Sequence, residues 1–144
     1  MTGTGLKTKF AESLPSPSVP LPHILLIDDS PTQLHVREMI LRGAGFQVSI
    51  ATSAESALGL LRVAGTKFDV IITDHVLPGA SGADFVRELR SADPGTPVIV
   101  VSGMPDVQEE YEGLDAVIRQ KPLAPEELIE LVRKSTAAPD AKIG

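Results

Sequence analysis

Four apolar segments, each followed closely by polar or charged residues, constrain the fold of this chain most. The segments are residues 23–27, 69–73, 97–101 and 116–118, and the polar residues after them are Asp28 and Asp29, Asp74, Ser102, and Lys121 with Pro122. Consecutive apolar positions are typical of buried parallel strands, and the helical patterns between them predict βαβ units. Since ligands in an open α/β sheet bind outside the carboxyl ends of the strands, these polar groups are expected to share one edge.

The predicted polar edge favours a particular chemistry. Clustered carboxylates repel each other and attract a hard divalent cation with oxygen ligands, most simply Mg²⁺. A lysine and a hydroxyl beside such a cation suit the oxygens of a phosphoryl group. The sequence therefore predicts that Asp74 is an aspartate that accepts phosphate.

The motif set closely resembles the receiver domain of two-component response regulators. The matching parts are Asp28-Asp29, the acceptor segment 74–82, Ser102 with Gly103 after it, and Lys121-Pro122, and the resemblance covers about residues 23–134. It implies an α/β fold, a flavodoxin-like doubly wound sheet of five parallel strands in the order 2-1-3-4-5, with five helices. The alternating segment 47–51 is expected to form an edge strand.

The resemblance also implies a role for each site residue. Asp74 is the phosphoacceptor and Lys121 pairs first with Asp74 and then with a phosphoryl oxygen, after a cis bond to Pro122. Ser102 hydrogen-bonds the phosphoryl group. Asp29 ligates Mg²⁺ directly, Asp28 mainly through water, and Asp74 and the backbone carbonyl of Val76 complete the protein ligands.

Two features depart from the family pattern. The stretch between Ser102 and Lys121 must hold a crossover and the fifth strand, so we expect the fourth helix, near residues 105–111, to be short, shifted or mobile. The family commonly has an aromatic residue three positions before the lysine, where this chain has Ile118. Tyr111, the single tyrosine, is not expected to replace it. His75 should point away from Asp74, because neighbouring side chains of a strand face opposite sides, and is expected to be packed or partly exposed.

Composition limits the remaining possibilities. The chain has 144 residues, a net charge of −6 and no cysteine. One domain is expected from this length, and the negative charge disfavours nonspecific nucleic-acid binding. No apolar run is long enough to span a membrane, so a cytoplasmic location is expected. Residues 1–22, rich in proline and serine, are expected to be a disordered tail, 23–134 the domain, and 135–144 a frayed tail.

The predicted function is a phosphoacceptor without an output domain in this chain, and not an enzyme. Its donor would be a sensor histidine kinase or a histidine phosphotransfer protein, and its output altered protein–protein contacts. The main alternative is a hydrolase with an aspartyl-phosphate intermediate, similar to the haloacid-dehalogenase phosphatases, which usually carry Asp-x-Asp where this chain has Asp28-Asp29-Ser30. A flavin-binding module is disfavoured by the 3% aromatic content. Whether the receiver stands alone or belongs to a larger protein stays open.

Overall fold

A computed structural model of the chain describes residues 21–63 and 65–143, and the side chains among these up to residue 136. The predicted N-terminal tail therefore lies outside the described residues up to position 20. No helix of the described ranges is long and apolar enough to cross a membrane.

Seven strands of the described residues form two sheets. They are β1 (His23–Ile27), β2 (Gln47–Ala51), β3 (Val70–Asp74), β4 (Val76–Leu77), β5 (Ala80–Ser81), β6 (Val98–Ser102) and β7 (Ala116–Gln120). Five of these strands pair in parallel, in the order β2-β1-β3-β6-β7, while β4 and β5 form a small antiparallel hairpin. The large sheet has the predicted order, with the first strand beside the second and third, and the segment 47–51 lies at its edge.

In the described ranges, three α-helices and one 3-10 turn connect the strands, and a fourth α-helix follows the last strand. They are α1 (Pro31–Gly43), α2 (Ala54–Leu61), α3 (Gly82–Ala92), the 3-10 turn η1 (Gln108–Tyr111) and α4 (Pro125–Ile143). Serine side chains cap the amino ends of α1, α2 and α3, because each accepts a hydrogen bond from a backbone N–H two or three residues into the helix. The predicted short fourth helix is confirmed, since η1 occupies its place in the described chain.

The sheet is covered on both faces, as expected for strands with consecutive apolar residues. Leu25 and Ile27 of β1 pack on one face with residues of α2, α3 and η1. Ile24 and Leu26 pack on the other face with residues of α1 and α4. This double coverage leaves the two ends of the sheet as the places where polar residues gather.

The last helix extends into the segment that was predicted to be a frayed tail. Its backbone is helical to Ile143, past Ser135. The domain limits at residues 23 and 134 remain a prediction.

Candidate phosphoacceptor and metal site

Three carboxylates meet at the carboxyl edge of the sheet. Asp28 and Asp29 follow β1, Asp74 ends the neighbouring strand β3, and one carboxylate oxygen of each lies within 4.8 Å of the other two. Asp28 and Asp74 are buried, whereas Asp29 is exposed. The three predicted residues thus form one cluster of hard oxygen donors. Because Mg²⁺ prefers such oxygen ligands and keeps several waters, this donor set fits a magnesium ion with one open side.

Lys121 reaches into this cluster from the segment after β7. Its Nζ lies 2.8 Å from Oδ1 of Asp74 and donates to Oε1 of Gln33 at 3.1 Å. The backbone N–H of Lys121 donates to the carbonyl of Ser102 at 2.7 Å, and the Lys121–Pro122 bond is cis, as the resemblance implies. The ammonium group is therefore held directly at the carboxylate that was predicted to accept phosphate.

Ser102 lies at the same edge but has other hydrogen-bond partners. It ends β6, beside β3, and its side chain is fully buried. Its hydroxyl donates to the carbonyl of Met104 at 2.8 Å and accepts from the backbone N–H of Met104 at 2.9 Å. The hydroxyl thus shapes its own loop in this structure, and its contact with a phosphoryl oxygen stays a prediction.

The surroundings of Asp74 shift the pKa of its carboxyl group in opposite directions. Burial raises the pKa of the Asp74 carboxyl and the neighbouring Asp28 carboxylate raises it further, while the hydrogen bond and charge of Lys121 lower it. The net pKa is above the ordinary value of 3.8. Ionised Asp74 is thus held at some cost in free energy, a cost that a bound cation would offset.

Arg37 is a functional candidate that sequence reasoning missed. Its Nη1 donates to Oδ2 of Asp28 at 2.9 Å, and the Asp28 side chain is fully buried there. Gln33, which accepts from Lys121, lies four residues before it, so both side chains project from the same face of α1. The spacing of Gln33 and Arg37, in the helix directly after Asp28 and Asp29, was the sequence signal that could have identified Arg37.

His75 and Tyr111 form a buried polar pair behind the acceptor. His75 was predicted to be packed or partly exposed, and the structure shows it packed: the residue is buried, and its Nδ1 lies 2.6 Å from the hydroxyl oxygen of Tyr111. Tyr111 itself was missed as a site neighbour. Val107, Tyr111 and Leu114 recur at intervals of four and three in an acidic segment, and this helical spacing could have revealed a buried face.

Val76 and Ile118, the two remaining residues of the prediction, both lie in strands. Val76, the expected source of a carbonyl ligand, lies in β4 with a 58% exposed side chain. Ile118 lies in β7 and packs partly buried against the same core cluster as Tyr111. The metal-ligand role of the Val76 carbonyl stays a prediction.

Comparison with known proteins gives one family. The family model described as "Response regulator receiver domain" matches residues 24–133. The DNA-binding response regulator MtrA of Mycolicibacterium smegmatis is 33% identical over 113 residues, which are 76% of this chain and 48% of that protein. The probable transcriptional regulatory protein TcrX of Mycobacterium tuberculosis is 33% identical over 65% of this chain and 39% of that protein. The chain thus spans half or less of the length of these relatives.

Solved structures agree with this family. A response regulator receiver domain protein from Clostridium thermocellum has a TM-score of 0.78 and 27% identity, covering 84% of this chain and 98% of its own. A response regulator receiver protein from Sinorhizobium medicae has a TM-score of 0.73 and 30% identity, covering 82% and 96%. The observed fold is thus that of known receiver domains.

Proposed function

The chain belongs to the response regulator receiver domain family of two-component systems, and on this premise we propose that Asp74 accepts a phosphoryl group from a partner phosphohistidine. The single observation that supports this role for Asp74 best is its placement. Its carboxylate lies 2.8 Å from Lys121 Nζ and within 4.8 Å of the carboxylate oxygens of Asp28 and Asp29. A cation-paired carboxylate beside a cation site is what phosphoryl transfer to aspartate requires.

The proposed reaction is a simple displacement. An oxygen of Asp74 attacks phosphorus, the P–N bond to the donor histidine breaks, and an acyl phosphate forms. The electron pair of the broken bond returns to the imidazole nitrogen, so no oxidant or other reactant is needed. Lys121 then pairs with a phosphoryl oxygen instead of the Asp74 carboxylate, and the hydroxyl of Ser102 donates to another.

The metal is proposed to be Mg²⁺. When bound, it would neutralise negative charge on the phosphoryl oxygens. Asp28, Asp29, Asp74 and the backbone carbonyl of Val76 would hold it. Arg37 holds the Asp28 carboxylate by an ion pair, which supports a direct ligand role for Asp29 and a more distant one for Asp28.

The chain is a signalling domain, and we propose that its partners are proteins. A sensor histidine kinase or a histidine phosphotransfer protein would donate the phosphoryl group, in the cytoplasm, and a protein target would receive the signal. MtrA, of which this chain matches 48%, is a DNA-binding response regulator by name, whereas the net charge of −6 favours protein contacts for this chain itself. The comparisons give no support to the phosphatase alternative.

Phosphorylation with acetyl phosphate and Mg²⁺ tests the acceptor. We expect one phosphoryl group per chain by intact-mass spectrometry, and none on Asp74→Asn, because the amide is not a nucleophile of this kind. Asp29→Ala should keep the fold by circular dichroism and bind Mg²⁺ at least about tenfold more weakly, as loss of a charged ligand implies.

Asp115→Asn is the matched control. Asp115 is an exposed aspartate with a positive φ of 56°, a conformation that asparagine also adopts readily. This variant should be phosphorylated like the unaltered chain. Phosphate that persists on Asp74→Asn would show that another residue is the acceptor.

A further inference from the structure

The His75–Tyr111 pair is the strongest polar feature outside the carboxylate cluster. Both side chains are buried, at 4% and 3% exposure, and their rings lie tilted at a centroid distance of 5.5 Å. The 2.6 Å contact between His75 Nδ1 and the Tyr111 hydroxyl joins residues 36 positions apart. Buried polar contacts of this kind fix side-chain positions, because either group left without its partner would be costly.

The pair is joined to the acceptor segment by the backbone. His75 lies between Asp74 and Val76, the proposed acceptor and the proposed carbonyl ligand. The N–H of Gly82 donates to the carbonyl of His75 at 2.5 Å. A Cβ atom at Gly82 would lie only 2.6 Å from both the Asp74 carbonyl oxygen and the Tyr111 hydroxyl oxygen. The tyrosine hydroxyl and the carbonyl of Asp74 therefore both pack closely against Gly82.

The pair also reaches the surface through η1. Tyr111 ends this turn, and the carboxylate of Glu110 lies 3.5 Å from His75 Nε2 with its side chain half exposed. Arg87 of α3 donates to the carbonyl of Glu110 at 3.3 Å. A shift of the acceptor segment would therefore also shift the exposed acidic turn η1. In the last strand, Ile118 offers no aromatic ring for such coupling.

We propose that Tyr111 is a positioning residue that acts through His75, holding the Asp74–Val76 backbone for phosphoryl and metal binding and moving when that site is filled. This inference rests on the proposed function and names its regulation. Because coupling between two sites is reciprocal, removing the Tyr111 hydroxyl must change affinity at the site if filling the site changes Tyr111.

The composition of the chain makes the coupling directly observable. Tyr111 is its single tyrosine and it has no tryptophan, so biosynthetic labelling with 3-fluorotyrosine gives one protein ¹⁹F resonance. Fluoroberyllate, used as the phosphoryl probe with Mg²⁺, carries its own fluorine atoms, and one spectrum reports both the bound probe and Tyr111. We expect the tyrosine resonance to change in proportion to bound fluoroberyllate.

Variants separate positioning from general damage. Tyr111→Phe keeps the ring and should bind fluoroberyllate about fivefold or more weakly. His75→Phe should weaken binding similarly, and the double variant should be no weaker than the single ones, because both remove the same contact. Thr96→Val removes a hydroxyl that donates to Asp93 near the start of β6, at the other end of the sheet, and should leave the affinity unchanged.

Three outcomes would overturn the inference, and the third is distinguishable from the first two. Bound fluoroberyllate with an unmoved tyrosine resonance, or with unchanged affinity in Tyr111→Phe, would refute the role of Tyr111 alone. No bound fluoroberyllate at any concentration would refute the proposed function and this inference with it.

Discussion

Asp74 carries a carboxyl group that is buried, and its ionised form is favourable there only when a cation is near. Its carboxyl group is buried beside Asp28, which raises its pKa, and is paired with Lys121, which lowers it. A carboxyl whose pKa is higher in the folded than in the unfolded chain holds its proton more tightly when folded. The stability of the metal-free fold therefore falls as the pH rises from 3.8 through the raised pKa.

Asp74→Asn should consequently stabilise the metal-free protein. At about pH 7 in EDTA we expect the variant to have a higher free energy of unfolding, because the amide removes the ionised carboxylate that burial and Asp28 disfavour. The gain should shrink toward pH 4 and shrink or reverse with Mg²⁺, which binds the ionised cluster. Urea unfolding across this pH range, with Asp115→Asn as control, measures it. A metal-free variant less stable than the unaltered chain would contradict this account of Asp74.

Arg37 adds a positive charge beside the same carboxylate cluster, through its ion pair with Asp28. Arg37→Gln leaves the buried Asp28 carboxylate without its ion-pair partner, and the metal-free protein should lose about 1–3 kcal/mol of stability. Mg²⁺ affinity should rise about 3- to 10-fold, because even a screened opposing charge is worth on the order of 1 kcal/mol.

The exposed pair of Arg62 and Glu88, with 3.5 Å between nitrogen and oxygen, provides the matched control for Arg37. Arg62→Gln should cost less than about 1 kcal/mol and leave metal binding unchanged. Isothermal titration with Mg²⁺ compares the two variants. Weaker binding in Arg37→Gln would mean that the guanidinium orients Asp28 for the metal instead of competing with it.

At the scale of elements, the start of α3 is fixed against the acceptor strand. Gly82 begins this helix, and its α-carbon lies so close to the Asp74 carbonyl and the Tyr111 hydroxyl that a methyl group has no room. Ser81 and Asp84 cap the helix reciprocally, so its first turn cannot easily move away. Gly82 at the start of α3 and Tyr111 at the end of η1 therefore pack against each other beside the backbone of Asp74 and His75.

Gly82→Ala tests this close contact. The added methyl must displace backbone, and we expect a loss of about 1–3 kcal/mol in the free energy of unfolding together with slower phosphorylation. Gly59→Ala is the matched control, since Gly59 lies within α2 with nothing within 4 Å of an added Cβ. That change should stabilise the helix by up to about 1 kcal/mol. Equal stability of the two variants would show that the Gly82 contact is loose.

At the scale of the whole molecule, the acidic turn after β6 is the expected reporter of phosphorylation. It holds Asp106, Glu109, Glu110, Glu112 and Asp115, and it contains the only helical turn between β6 and β7 in the described chain. Hydrogen exchange with and without fluoroberyllate should show increased protection in residues 103–113, because a filled site favours one arrangement of the loop. The buried strand β1 serves as internal control. Equal protection of this segment in both states would place the response elsewhere.

The sequence by itself determined the sheet and its polar edge. Consecutive apolar residues in β1, β3 and β6 require coverage on both faces, and parallel strands then bring Asp28, Asp29, Asp74 and Ser102 together at one end. These patterns are local, since each lies within a few residues and needs no partner to be recognised. The shortness of the fourth crossover followed in the same way from chain length.

The tertiary structure alone decided which side chains meet within that frame. The Arg37–Asp28 ion pair, the His75–Tyr111 contact and the crowding at Gly82 join different elements, and their existence depends on packing distances of a few ångströms. Sequence patterns carry periodicity but not the relative placement of elements, because that placement results from how complete core clusters fill space. The sequence thus predicted which residues gather at the polar edge. The contacts that position these residues arise from packing.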